Sequence, residues 1–295
     1  MNTINRSFMN EERKKSLRRN WKKFSSNPLS IVGLASVVLV VFLAVFSPWI
    51  APYPQSWTMW VDFANSLKSP SAQHPFGTDV FGRDVMSRIF YGFRYDLLMA
   101  VVILTMVVPI GTVVGLIAGY YRGTILDTII MRITDIFLAI PSIILALAIC
   151  AMLEPSLFNS MMAVSVLWWP WYSRLAFGIA SSLKNEYFVQ AAELTGASTS
   201  HILFKEILPN CISPLFTKMT LDVGWVILIG STLSFVGLGA QEPIPALGNM
   251  VAAGTKYMPD YWWVTVFPAM AIAFTILGFN LLGDGIRDML AVEEI

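Results

Sequence analysis

The sequence predicts an all-α, polytopic membrane protein with six transmembrane helices, and three observations carry that prediction. Of 295 residues, 56% are hydrophobic and only 13% charged, where a soluble globular chain carries about 25% charged residues. The apolar residues gather into six runs close to the ~20 residues that a helix needs to cross ~30 Å of hydrocarbon. The polar residues between those runs are concentrated in a few segments, so the chain passes repeatedly between two solvents. Helices are expected because a helix satisfies its backbone polar groups within one segment, and lipid offers no other partner.

Taken in order, the first run is 31–50 and the second 97–121. The third is 136–153, extended backward to 125 by a stretch carrying Asp127, Arg132 and Asp135, and the fourth is 155–173. The fifth is 223–241 and the sixth 261–283. A charge at mid-bilayer costs about 2.5–3.5 kcal/mol on insertion scales, so runs this clean do not arise by chance. The first is too long for the core of a signal peptide and follows a polar tail, which marks a retained span. Pro109, Pro141, Pro170 and Pro268 fall within spans, where freed backbone groups find partners on neighbouring helices or line a cavity.

Orientation follows from the basic residues. Only Lys68, Arg83, Arg88, Arg94 and Lys256 lie on one side, and the other fifteen of the 20 Lys and Arg lie on the other, eight of them in the tail: Arg6, Arg13, Lys14, Lys15, Arg18, Arg19, Lys22 and Lys23. The positive-inside rule therefore places both termini in the cytoplasm. The chain divides into a basic cytoplasmic tail (1–28), a first transmembrane helix (29–50), an extracytoplasmic segment (51–94), a five-helix core (95–284) with a cytoplasmic loop at 174–218, and a cytoplasmic C-terminal tail (285–295). The tail can also touch anionic lipid headgroups.

The same residues exclude several functions. Net charge is +1, so no global basic field exists to neutralise phosphates, and nucleic-acid binding is excluded. Cys150 and Cys211, one in an apolar run and one in a loop, form neither a disulfide framework nor a C-x-x-C pair. The only histidines, His74 and His201, are too few and too far apart for a metal conduit. No H-E-x-x-H or G-x-S-x-G occurs, which argues against an intramembrane enzyme. An ion-coupled secondary transporter needs ionisable residues in span cores. Here Arg132, Asp135 and Asp222 lie toward inner ends, with Arg132 and Asp135 spaced i,i+3 to neutralise each other.

Three polar segments carry the remaining information. In the outer segment, Gly77 and Gly82 permit sharp turns in the stretch 74–88, while Asp79, Arg83, Asp84 and Arg88 can pair locally or cap helix ends. On the inner side, 174–218 reads as helix, turn, helix: helix formers from Glu186 to Leu194, then Gly196 among small residues, then an apolar-periodic stretch ending at Pro209. Ala191, Ala192, Gly196 and Ala197 carry almost no side chain, so a partner surface can approach closely. The Gly- and Pro-rich stretch 234–250 predicts a turn and a short re-entrant or interfacial helix, with Tyr257, Tyr261, Trp262 and Trp263 at the headgroup level.

These segments resemble the inner-membrane permease subunits of bacterial ATP-binding-cassette (ABC) importers, specifically the C-type permease of the dipeptide, oligopeptide and nickel group. The likeness covers the chain from about residue 25. Its marks are His74, Gly77, Asp79, Gly82, Arg83, Asp84 and Arg88 outside, and Gln190, Ala191, Ala192, Gly196, Leu208 and Pro209 inside. Gln190 stands where the group usually has Glu, and Leu247, before Gly248, where it more often has Trp. Met131 and Arg132 with Asp135, the stretch 234–245, and Phe279 through Gly285 with Arg287 and Asp288 are further similar stretches.

The resemblance implies a type I ABC importer permease fold and a non-catalytic subunit that forms half of a translocation pathway. The inner loop would be a coupling helix seated in a groove of an ATPase, with Ala191, Ala192 and Gly196 at the contact and Tyr187, Phe188, Leu194 and Ile202 as apolar anchors. No G-x-x-x-x-G-K-[ST] loop occurs, so ATP and magnesium belong to partner ATPases and this chain holds no cofactor. The other implied partners are a second permease and an extracytoplasmic solute-binding protein. The solutes implied are peptides or related small compounds such as nickel complexes or glutathione-like molecules.

Overall fold

The computed structural model describes residues 18–290. The tail residues Arg6, Arg13, Lys14 and Lys15 and the last five residues of the C-terminal tail lie outside them. Among the described residues the architecture is helical, with Thr78 and Asp84 forming an isolated antiparallel bridge.

After a short helix over 18–26, α1 spans Pro28–Ile50. Its start is set by Asn27, whose side chain accepts a hydrogen bond from the Leu29 N–H at 3.0 Å, and by Pro28, whose missing N–H costs nothing in a first turn. The helix α2, Val85–Tyr120, begins well before the predicted span because Asp84 caps it, accepting from the Ser87 N–H at 2.8 Å. Its 36 residues reach about 54 Å at 1.5 Å per residue, so it protrudes beyond the hydrocarbon.

The third predicted span is not one straight helix. It consists of α3, Ile125–Ala139, and α4, Ser142–Ala151, bent by 85° at the break. Pro141 lies in that break, where it has no N–H to give the helix and disfavours helical backbone at Ile140, which is extended (ψ 130).

The fourth span is α5, Leu157–Leu183. It is long enough to cross a bilayer but less apolar than the others, since Ser160, Ser165, Trp168, Trp169, Trp171 and Arg174 interrupt it. It packs along α2 through glycines. A Cβ at Gly111 would sit 2.7 Å from the Tyr172 Cβ, and one at Gly119 2.7 Å from the Ala180 Cβ. Gly111, Gly115 and Gly119 recur every fourth residue, which places them on one face of α2 and lets the two backbones meet.

The loop at 174–218 contains α6, Tyr187–Leu194, then a helical turn at Thr199–His201 and a wider π-helical turn at Ile202–Ile207. The latter runs directly into α7, Leu208–Phe235. Pro209 therefore does not end the second loop helix as expected. It lies in the first turn of the next span, and Thr199–Phe235 is a single apolar unit of 37 residues. The wider turn relieves the clash a proline ring makes with the carbonyl four residues back. Cys211 is consequently a buried helix residue and not a loop residue. The fifth span ends at Phe235 rather than Gln241, which lies in the following connection.

The predicted short helix is α8, Leu247–Thr255, and the last span is α9, Trp263–Leu290. Leu247, Gly248, Met250 and Gly254 bury α8 against its neighbours. Gly33 of α1 meets the backbone of Leu281 and Leu282 on α9, where a Cβ would come within 2.7 Å of the Leu281 carbonyl carbon. Among the described residues four helical units are individually long and apolar enough to cross a membrane, and α3 with α4 makes a fifth; α5, with 27 residues, has the length for the expected sixth but not the apolarity. The main core joins α2, α5 and α7, and a smaller one joins α1, α2, α8 and α9 around the start of α2.

Candidate functional site

The structure brings the outer-motif residues together as one buried charge network. Gly77 (φ 72) and Gly82 (φ 75) are left-handed, which L residues rarely adopt. They fold the chain so that Asp79 Oδ1 accepts from the N–H groups of Phe81 and Arg83, both at 2.9 Å. Asp79 Oδ2 accepts from Arg83 Nε at 2.7 Å and lies 3.8 Å from Arg88 Nε. Asp84 divides its oxygens between His74 Nδ1 at 2.9 Å and the Ser87 hydroxyl at 2.7 Å. Trp263, at the start of α9, donates its indole N–H to the Thr78 carbonyl at 3.2 Å.

One member of this network escaped the sequence reading. Glu242, in the connection between α7 and α8, accepts from Arg83 at 2.9 and 3.3 Å and from Arg88 at 3.2 Å. The available signal was charge balance: two arginines faced Asp79 while Asp84 was committed to a helix cap, so a further carboxylate on the same side was needed. Burial alone would raise the Glu242 carboxyl, but the Arg83 hydrogen bond and the two guanidinium charges outweigh it and hold it below its ordinary value. Burial would lower Arg83, and the Glu242 hydrogen bond with the charges of Asp79 and Glu242 outweighs that and raises it. One shift is downward and the other upward, and both favour the charged forms of the pair. Arg88, only 2% exposed, also donates to the Ser56 carbonyl at 3.2 Å.

On the opposite face, α6 ends in a Schellman motif. Ala197 N–H donates to the Ala192 carbonyl and Gly196 N–H to the Glu193 carbonyl, both at 3.0 Å, with Gly196 left-handed at φ 81. This pattern needs a residue without a Cβ penalty at that position. A Cβ at Gly196 would meet nothing within 4 Å, so the space beside it is open to a partner.

Val189, fully buried, fastens α6 to the bundle, while Tyr187 and Leu194 are 86% and 89% exposed and Phe188 is also exposed. Gln190, Ala191 and Gly196 are exposed and Ala192 half-buried. Gln190 donates to the Asn185 carbonyl at 3.0 Å. Glu193 accepts from the Tyr120 hydroxyl at 2.8 Å, tying α6 to the end of α2. Ile202 is not an exposed anchor: it is 1% exposed, inside the core with Leu203 and Ile207. Leu208 packs against that core, and Pro209 is exposed.

Two further charge pairs involve α5 and α7. Asp135 is paired with Arg174 of α5 and not with Arg132 as its spacing suggested. Asp222 is buried, 3.1 Å from Lys218 Nζ, and accepts from the Trp168 indole at 3.1 Å.

The chain is thus a bundle of apolar helices with a charge network at the start of α2 and a short exposed helix, α6, at its other end. Residues 111–292 match the model of the binding-protein-dependent transport system inner membrane component family, and residues 16–70 match the N-terminal transmembrane domain of oligopeptide transport permease C. The chain belongs to the binding-protein-dependent transport system inner membrane component family. It is an integral inner-membrane permease subunit of an ABC importer, a class that works with ATPase and substrate-binding partners. The ion-coupled alternative has no support from these similarities.

Among its relatives is an Escherichia coli K12 protein named "Probable D,D-dipeptide transport system permease protein", 43% identical over 264 residues, 90% of this chain and 87% of the relative. A dipeptide transport system permease protein of Alkalihalophilus pseudofirmus is 41% identical over 273 residues, 92% of this chain and 88% of that one. An oligopeptide transport system permease protein of Bacillus subtilis is 38% identical over 274 residues, with the same coverage, 92% and 88%.

Proposed function

We propose that this chain forms half of the translocation pathway for peptides or related small solutes and works by alternating access. A second permease supplies the other half, two ATPase subunits or domains bind ATP and magnesium, and a solute-binding protein delivers cargo from outside. Both termini are cytoplasmic, 51–94 is extracytoplasmic, and 174–218 is the coupling loop. The dipeptide and oligopeptide names of the relatives support the solute class.

The observation that carries the coupling reading is α6 itself. Its one buried anchor, Val189, is matched by Tyr187, Phe188 and Leu194 turned outward, an apolar cluster that a partner groove would cover. Gln190, Ala191, Ala192, Gly196, Leu208 and Pro209 lie along the route from that cluster into α7. Because the second half of the loop, from Thr199, runs into α7 as one apolar helical unit, a displacement of α6 reaches a span through the single turn at 195–198.

The test uses two variants of the complex purified from its native membrane. Gly196→Asn keeps a residue that tolerates the left-handed turn and is expected to retain solute-stimulated ATP hydrolysis. Gly196→Trp fills the open space beside the turn and is expected to separate the ATPases or abolish the stimulation. A Gly196→Trp complex that purifies whole with normal stimulation would remove the coupling assignment.

A further inference from the structure

Tyr120, the last residue of α2, stands where three elements meet. Its hydroxyl donates to Glu193 Oε1 on α6 at 2.8 Å, across 73 residues of sequence. Lys184, which caps the end of α5, holds its ammonium 5.6 Å from the Tyr120 ring centroid, within reach of a cation–π contact. The Thr199 side chain, at the start of the second half of the loop, also reaches the Tyr120 hydroxyl.

Val189 and Glu193 are spaced i,i+4 and share one face of α6. Val189 is buried in the main core, an apolar contact without direction, about which a helix of 8 residues can turn. The Glu193 hydrogen bond is directional and charge-assisted, so the two contacts together fix both the position and the angle of α6 on the end of α2. Gly119, beside Tyr120, packs closely on Ala180 of α5, so α2 carries α5 with it. Where α7 meets α2, Gly230 packs against the Met99 side chain, and a flexible thioether lets the two helices slide.

We propose that Tyr120 is a positioning residue of the coupling loop: through Glu193 it makes α6 and α2 move as one body, so that a displacement of α6 reaches α2 and α5 as well as α7. The proposal rests on the coupling reading above and adds a second route to it. The first route is the chain itself, through the turn at 195–198 into α7. The second is one hydrogen bond, which the loss of a single oxygen atom removes.

The test follows the two routes separately, in the complex purified whole from its native membrane with Cys150 and Cys211 of this chain replaced. A reporter cysteine is introduced by Arg94→Cys toward the start of α2, or by Val236→Cys just past the end of α7, both at exposed positions. Maleimide labelling of this chain is timed with and without ATP and magnesium. With Tyr120 and Glu193 intact, an ATP-dependent change in rate is expected at both reporters. Tyr120→Phe and Glu193→Ala are expected to cut the change at the α2 reporter about fivefold, the low end for coupling between sites because the bond is exposed, and to leave the α7 reporter unaffected. Glu193→Gln keeps an acceptor and is expected to preserve both. A change at the α2 reporter that survives Tyr120→Phe overturns the proposal. Equal loss at the two reporters makes Tyr120 a part of the fold alone and overturns it as well. No ATP-dependent change at either reporter with Tyr120 intact would remove the coupling reading itself.

Discussion

Arg83 of the outer segment and Glu242 of the connection between α7 and α8 meet as a double hydrogen bond, at 2.9 and 3.3 Å, across 159 residues of sequence. This fork-to-fork pairing fastens the outer segment to the far half of the bundle. Its second arginine, Arg88, is buried beneath it. The outer motif therefore acts as a clasp between the first and last parts of the core.

Removing the clasp has a measurable cost. Glu242→Ala leaves two arginines short of a partner, one of them fully buried. It is expected to destabilise the purified chain by about 1–3 kcal/mol, at the lower end because Glu242 is partly exposed. A double-mutant cycle with Arg83→Gln is expected to be non-additive in thermal unfolding, since the residues are in contact. Additive losses would show that the pair does not act as a unit.

The same pair predicts a pH dependence with a definite sign. The carboxyl of Glu242 is held below its ordinary value of 4.5, so the folded state binds this proton less readily than the unfolded state. Its contribution is complete above the ordinary value and is lost as pH falls through the depressed one. Unfolding temperature followed from pH 7 into the acid range is expected to fall less steeply for Glu242→Gln than for wild type below about pH 4.5. Parallel curves would contradict the clasp.

The α2 to α5 contact depends on close backbone approach. A Cβ at Gly115 would lie 2.8 Å from the Ala176 Cβ and also strike the Ser173 carbonyl oxygen. Gly115→Val is expected to cost about 1–3 kcal/mol by overpacking, read as a lower unfolding temperature in detergent. Gly178, with nothing within 4 Å of its Cβ position, serves as the control, and Gly178→Ala is expected to be tolerated.

Topology is testable on a background with Cys150 and Cys211 replaced. A cysteine at Ser71 is expected to react with an impermeant reagent from outside, and one at Ser198 only from inside. The reverse pattern would overturn the orientation derived from the basic residues.

Much of the fold was legible because lipid imposes a simple rule: apolar runs of sufficient length become helices. The failures lie where a tertiary partner or a backbone geometry decides. Pro141 was visible as a span proline, but an 85° bend depends on how α3 and α4 pack. Pro209 looks like a helix end from sequence, yet a π turn before it lets the helix continue. Arg132 and Asp135 have the spacing of a pair, but Arg174 on the neighbouring α5 reaches Asp135 instead. Ile202 had the composition of an exposed anchor and is buried by its position on the turn.

At the sites, local turn chemistry was readable and distant partners were not. Gly77, Gly82 and Gly196 stand where left-handed backbone is required, and Asp84 caps the helix that follows it. Glu242 was hidden among glycines and prolines far along the chain, in a loop whose length alone says nothing of where it folds back.

The central claim is that this chain is a permease driven by separate ATPases. The most direct measurement is affinity purification from its native membrane in mild detergent, mass-spectrometric identification of what accompanies it, and solute uptake in liposomes with and without ATP. The account predicts that ATPases and a second permease co-purify and that uptake requires ATP. Recovery of the chain alone, moving solute without ATP, would contradict it.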